Sequence, residues 1–363
     1  MTTPANHPTR SIIVNLLKWL FAIGLLSMLL WVNRHDLIQL QYRKILWGVF
    51  AAALGVRVLS LIATFSRWRL LVRGIGLPFS FRESFRLGML GEACNLIGPG
   101  AVGGDLVKVA LLAKDYPHRI ASVMATVFLD RVLGLWSLFF LGAVASILPL
   151  GTKPGPELQY AIWILWGGAA AGIIGMGLMF IPSFTHSRLM HWLTTWKFIG
   201  RIVKELMDSI QLYQGKPQIV VGAAALALFG HFGFLTSFYF CAQALNSGQD
   251  FPGYIDHIVG LPLPEAISAI PLTPGGLGVL EKAVSWFYQQ HQLTVLPDST
   301  KEQIATAGSN GLITAFGYRL TMLIWGAVGV LFYLASRGEI RKAVDQTSND
   351  SPNLGTVGGS SQT

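Results

Sequence analysis

GEACNLIGPGAVGGDLVKVALLAK, residues 91–114, is the stretch on which the reading of the fold turns. It is mostly apolar, yet Gly98, Pro99, Gly100, Gly103 and Gly104 interrupt it, and Asp105 and Lys108 follow at once. Such a run neither spans a bilayer as one helix nor suits water. Glycine permits positive φ and close backbone approach, Pro99 removes a donor, and the apolar flanks need burial. Together these predict a helix-break-helix hairpin that dips into a membrane, over about 83–114. Residues 270–286, IPLTPGGLGVLEKAVSW, repeat the design and predict a second hairpin over about 256–290.

Composition supports a membrane setting. Of 363 residues 52% are hydrophobic and only 12% charged, against roughly 25% charged in soluble domains. The net charge of +9 could advertise nucleic-acid binding, but the basic residues flank long apolar runs, so membrane topology explains them and no nucleic-acid partner is expected. Cys94 and Cys241 are far apart, each in an apolar segment and without neighbouring His ligands, and read as small buried hydrophobes. The apolar run after Arg10 covers residues 12–32, too long for a signal peptide core and followed by no small-x-small cleavage site. It reads as the first span, with Lys18 able to snorkel.

Full spans are expected at about 11–32, 45–65, 120–148, 159–181, 218–245 and 310–335. The fold class is therefore all-α: a polytopic helical membrane domain over residues 1–342, with six spans and two re-entrant hairpins. If both hairpins return to the side they left, Lys and Arg concentrate in the segments that share a side with the N-terminus. That predicts cytoplasmic N- and C-termini in the inner membrane. Arg34, Arg43 and Lys44, on the opposite side, fit this pattern badly.

The two halves also resemble one another. Pro99-Gly100 with a following Gly pair and Asp105 parallels Pro274-Gly275-Gly276 with Gly278 and Glu281. Each hairpin is followed by a span carrying a deep arginine, Arg131 in one half and Arg319 in the other. Paired Gly/Pro-interrupted apolar segments point to a transporter binding site at the interface of inverted repeats. Between the halves, Leu189, Trp192, Leu193, Trp196, Ile199, Val203, Leu206 and Ile210 recur at helical steps among Arg188, Lys197, Arg201 and Lys204. They predict an interfacial amphipathic helix over about 188–213, either a basic connector or a reader of anionic headgroups. Residues 343–363 are polar and predict a disordered tail.

No standard catalytic constellation is present. Gly98, Gly100 and Gly103 satisfy G-x-G-x-x-G literally, but no strand precedes them and Pro99 deletes a donor that a pyrophosphate loop needs. There is no G-x-x-x-x-G-K-[ST], G-x-S-x-G or H-E-x-x-H, and neither enzymatic activity, a cofactor nor a metal is expected. The chain instead places ionisable residues at membrane depth. Starting a span at Ile120 sets Asp130 and Arg131 roughly 15 Å in at 1.5 Å per residue. Arg319 is similarly deep, Arg57 lies in the second span, and Glu92, Asp105, Glu265 and Glu281 belong to the hairpins. Each such charge costs a few kcal/mol unless it faces protein or a wet cavity. Two readings stand: pairs that lock helices together, or a substrate or proton site. Half-helix starts after Gly104 and Gly276 would attract phosphate, but Asp105 and Glu281 already occupy those positive ends. They would hold Arg131 or Arg319, meet a cationic headgroup, or titrate, and Lys108 would neutralise Asp105. His231, alone in an apolar span, reads as a satisfied core histidine.

Asn95-x-x-Gly98-Pro99-Gly100-x-x-Gly103-Gly104-Asp105, then Asp130-Arg131-x-x-Gly134, then Pro271-x-x-Pro274-Gly275-Gly276-x-Gly278-x-x-Glu281 resembles the lysylphosphatidylglycerol synthase transmembrane-region family. That family includes the flippase part of bacterial multiple-peptide-resistance proteins and membrane regions of archaeal glycosyltransferases. The similarity extends over about 12–335. It implies a lipid-translocase-like membrane domain whose partners are membrane lipids and, in some settings, a separately encoded lipid-modifying enzyme. The two-part members add a soluble aminoacyl-transferase domain, whereas this chain ends in a short polar tail, so lysine transfer is not expected. Asn95, Gly98, Gly100, Gly103, Gly104, Asp105, Lys108, Asp130, Arg131, Pro274, Gly275, Gly276, Gly278 and Glu281 are the candidate substrate-binding residues. Arg319 joins them on the repeat argument alone. The candidate activities are movement of an anionic, aminoacylated or polyprenyl-phosphate-linked lipid between leaflets, lipid presentation to a separate enzyme, and transport of a small polar solute.

Overall fold

The computed structural model describes residues 43–95, 102–148, 154–181, 213–271, 273 and 275–349, with isolated residues between 192 and 211. The expected first span at 11–32, most of the amphipathic helix at 188–213 and residues 350–363 lie outside the described residues. The rest is all-α: α1 Trp47–Gly74, α2 Phe81–Asn95, α3 Val102–Asp115, α4 Ile120–Ala145, α5 Pro156–Met179, α6 Pro217–Leu245, α7 Tyr254–Gly260, α8 Pro262–Ser268, α9 Val279–Val295 and α10 Lys301–Asn349. Among the described residues five helices are long and apolar enough to cross a membrane: Trp47–Gly74, Pro117–Ala145, Pro156–Leu178, Pro217–Leu245 and Lys301–Leu331. They correspond to the second through sixth expected spans, and the protein is a polytopic helical membrane protein.

Local chemistry sets the helix starts. Ser80 and Glu83 form a reciprocal capping box ahead of α2, with Ser80 N donating to Glu83 Oε2 at 2.7 Å and Glu83 N to Ser80 Oγ at 3.2 Å. Thr300 and Gln303 do the same for α10. Proline opens α5, α6 and α8, where its missing N–H leaves no orphan. At the far end of α1, the Lys216 ammonium and the Tyr213 hydroxyl donate to the carbonyls of Gly74 and Leu71, groups that the helix itself cannot satisfy.

α1 and α6 lie against one another at the centre, and the remaining packing repeats around them. α2 rests on α3 as α8 rests on α9; α3 on α4 as α9 on α10; α2 on α10 as α7 and α8 on α4. One apolar cluster joins α6, α9 and α10 through Phe238, Phe287, Tyr288 and Tyr318. A second joins α1, α4 and α6 through Trp68, Leu133, Trp136 and Val220. Outward faces stay apolar, with Trp163 and Ile174 on α5 and Phe229 on α6 exposed as lipid contacts would be.

Three features differ from expectation, two of them in the hairpins. α3 begins at Val102, so Gly103 and Gly104 lie within its first turn rather than before it. The first arm of the second hairpin is two short helices, because Pro262 and Pro264 disfavour a continuous α-helix through Leu261. The last helix runs from 301 to 349, wider than the span at 310–335 and past residue 342. Elongating a formed helix needs no new nucleus, and the polar residues after Gly338 include no proline until Pro352.

Gly104 is what lets the first hairpin close. A Cβ there would sit 2.1 Å from the Gly91 carbonyl oxygen and 2.7 Å from Asn95 Oδ1, and that carbonyl is backbone that cannot swing aside. Gly104→Ala is expected to destabilise by about 1–3 kcal/mol. Gly175→Ala, where nothing lies within 4 Å, is expected to be neutral or to stabilise by up to ~1 kcal/mol. Melting both variants beside the parent in one detergent tests the contrast.

Candidate functional site

Where the ends of α2 and α8 approach one another, a cavity of about 200 Å³ opens between the two hairpins. α1 contributes Arg57 and Arg67, α2 Glu92 and Asn95, and α4 Asp130, Arg131 and Gly134. From the other half come His231 and Phe234 of α6, Glu265 and Ser268 of α8, Gly275 and, on α10, Tyr318.

Of the residues singled out from sequence, Asn95, Asp130, Arg131 and Gly275 line this cavity directly. Asp105, in the first turn of α3, accepts from Arg131 Nε at 2.5 Å and lies 3.5 Å from Lys108 Nζ. The Arg131 side chain is 42% exposed and lies along the cavity wall. Lys108 is buried, its ammonium 5.6 Å from the centre of the Trp68 ring. Asn95 accepts from Gly104 N–H at 2.8 Å and so ties the two arms of the first hairpin. Asp130 takes both ends of Arg67, with Oδ1 to Nε at 2.6 Å and Oδ2 to Nη2 at 2.9 Å. This fork geometry is the strongest form of the pair.

The second half repeats the motif with a different outcome. Glu281 accepts from Gly278 N–H at 2.8 Å and from Arg319 Nε at 2.5 Å. Arg319 also donates to the carbonyls of Gly275 at 2.8 Å and Gly276 at 3.1 Å. Gly275, Gly276 and Gly278 all have positive φ, a conformation that L side chains rarely adopt. A Cβ on Gly276 would also meet the Ser268 carbonyl at 2.6 Å. Arg319 and Glu281 are buried and lie outside the cavity lining. They act as a clamp that fixes the glycine loop to the start of α9. Gly98, Gly100 and Pro274 lie outside the described residues.

His231 Nδ1 is 3.0 Å from the Ala227 carbonyl, so it carries the proton, and Ser137 Oγ sits 2.8 Å away. Ser137 itself donates to the Gly134 carbonyl at 2.7 Å. The two therefore do not form a nucleophile and base, and His231 is a hydrogen-bonded wall residue. Among the described residues no group of His, Cys, Asp and Glu is arranged to hold a metal ion.

Several wall residues were not among the sequence candidates. Arg67 lies past the 45–65 expected for its span, but α1 continues to Gly74 and carries it into the cavity wall. Arg57, Glu92 and Glu265 were legible as deep charges, though not as one constellation. Arg57 is 2% exposed and lies over Phe234 and Tyr318, 5.2 and 4.9 Å from their ring centres. Its Nη2 is 3.9 Å from Glu92 Oε2, while Nε and Nη1 are buried without an acceptor. Glu265 Oε1 is buried without a donor.

Removing one member of a buried ion pair strands the other. Glu281→Gln, leaving Arg319 against a neutral amide, is expected to destabilise by about 3–5 kcal/mol. The same change at the exposed Glu157 should cost no more than ~1 kcal/mol. Thermal melts of the two variants in matched micelles make the comparison, and equal melts would remove the clamp assignment.

Residues 15–290 match the family model described as lysylphosphatidylglycerol synthase TM region. Comparisons with curated proteins and with solved structures each gave no match. The matched residues include both hairpin tips and every cavity residue named above except Tyr318, and stop before α10 and Arg319. The chain belongs to the lysylphosphatidylglycerol synthase TM region family and is an integral membrane protein.

Proposed function

We propose that this protein is a lipid translocase, which passes a phosphate-bearing headgroup between leaflets along the cavity while the acyl chains stay in the bilayer. One observation carries the reading: both hairpins end on a single charged cavity inside an otherwise apolar, lipid-facing helical shell. A charged group costs at least a few kcal/mol to bring to mid-bilayer, and a polar path of this kind offsets that cost.

In this reading the hairpins are re-entrant. α2 and α3 have 15 and 14 residues, which at 1.5 Å per residue gives only about 21–23 Å, short of a hydrocarbon core of roughly 30 Å. Arg131 meets phosphate, with Asp105 and Lys108 setting its position. Arg319 and Glu281 keep the second tip rigid, and rocking of the spans about the central α1–α6 pair alternates exposure. The chain sits in the cytoplasmic membrane with both termini inside, acts on phospholipids or polyprenyl-phosphate-linked lipids, and performs no bond-making step. A separately encoded lipid-modifying enzyme supplies or consumes the lipid.

Reconstituted vesicles test the proposal. Arg131→Ala is expected to slow translocation of a fluorescent phospholipid about tenfold, the loss of one charge-assisted hydrogen bond, in protein that still folds but melts lower because Asp105 loses its partner. Binding without movement in the parent protein would instead make it a lipid-presenting partner. An unaltered rate in the variant would remove Arg131 from the path.

A further inference from the structure

Three arginines and three carboxylates line the cavity, but their pairing is uneven. Arg67 and Asp130 engage one another through two hydrogen bonds, and Arg131 is held by Asp105. Arg67 Nη1 is nonetheless buried without an acceptor, and the remaining lining charges are Arg57, Glu92 and Glu265. The nearest contact between Arg57 and Glu92, at 3.9 Å, is beyond hydrogen-bond range. Arg57 Nε and Nη1 therefore present buried, unmatched donors, and Glu265 Oε1 a buried, unmatched acceptor, in the wall of one cavity. Arg57, Glu265 and Tyr318 line the same cavity, so one small ligand in it can meet both unmatched groups.

A buried donor or acceptor left empty costs free energy that a ligand recovers on filling it. A bare phosphate fills the arginine but meets two carboxylates of its own sign. A lone cation fills Glu265 but leaves the arginine donors empty and adds to their charge. A group of both signs satisfies both, while the Phe234 and Tyr318 rings hold the Arg57 guanidinium in place, 5.2 and 4.9 Å from its centre.

We infer that the cavity selects a lipid headgroup carrying one phosphate and one primary ammonium group, neutral overall. Phosphate oxygens accept from Arg57 Nε and Nη1, and the ammonium donates to Glu265 Oε1 and to Glu92. The inference rests on the translocation reading above and adds which headgroup the path prefers.

The test uses the full chain in vesicles with phospholipids labelled on the acyl chain, so that the ammonium stays intact. Phosphatidylethanolamine, phosphatidylcholine, phosphatidylglycerol and phosphatidic acid are compared by quenching of the outer leaflet. Phosphatidylethanolamine is expected to move about tenfold faster than the two anionic lipids, a charge-assisted hydrogen bond's worth of discrimination. Phosphatidylcholine, whose quaternary nitrogen has no N–H, is expected to lag behind it. Glu265→Gln is expected to bring the ratio of phosphatidylethanolamine to phosphatidylglycerol to about one. Glu92→Gln, at a partly exposed side chain, is expected to lower the ratio in the same direction and serves if Glu265→Gln does not fold. Equal movement of zwitterionic and anionic lipids by the parent, or an unchanged ratio in a folded Glu265→Gln protein, overturns the headgroup assignment and leaves translocation standing. No movement of any lipid overturns both. Entry of soluble phosphoethanolamine into the vesicles without movement of phosphatidylethanolamine would assign the site to a soluble zwitterion and overturn the lipid assignment.

Discussion

The architecture depends on one interaction used twice: a carboxylate in the first turn of a half-helix holding an arginine from the span that follows. Asp105 holds Arg131, and Glu281 holds Arg319. An arginine within a membrane-spanning helix is tolerable only against protein and with a counter-charge. A helix whose start is buried is tolerable only if its first N–H groups find acceptors. Placing the acid at the helix start meets both needs together, since Glu281 takes a backbone N–H and a guanidinium on the same carboxylate. The hairpin tip and the next span are thereby fixed to each other.

The two copies have diverged in what surrounds them. In the second half the arginine is fully engaged, with two carbonyls of a left-handed glycine loop added to its carboxylate. That site is closed and structural. In the first half the arginine stays partly exposed and forms cavity wall. The repeated motif thus gives one buried, fully engaged pair and one pair whose arginine forms cavity wall.

Much of this was legible from residue order. Span positions followed from apolar length, and the hairpins followed from glycine and proline placed where a helix has to break. The acid and arginine positions in the two halves pointed to the pairing that is seen. What was not legible was lateral arrangement. Arg67 looked like a residue past the end of a span until α1 proved longer. Glu265 and Arg57 are far apart in sequence and carry no shared motif; only the folding of α8 against α4 and of α6 against α1 brings them to one cavity. Periodicity tells which face of a helix is apolar, whereas a polar cavity is assembled from the few positions at which several faces fail to be.

The glycines sharpen the same point. Read from sequence, they suggested backbone made bare for a ligand. In the structure Gly104 is filled by the Gly91 carbonyl and Gly276 by that of Ser268, so close approach is used to bring protein against protein. The cavity is lined instead by long side chains projecting from its walls. An arginine left with unmatched donors persists only if its surroundings cannot relax to cover it. The tightly closed hairpins on either side of Arg57 supply that constraint, so the residues that hold the fold shut are the ones that keep the cavity open.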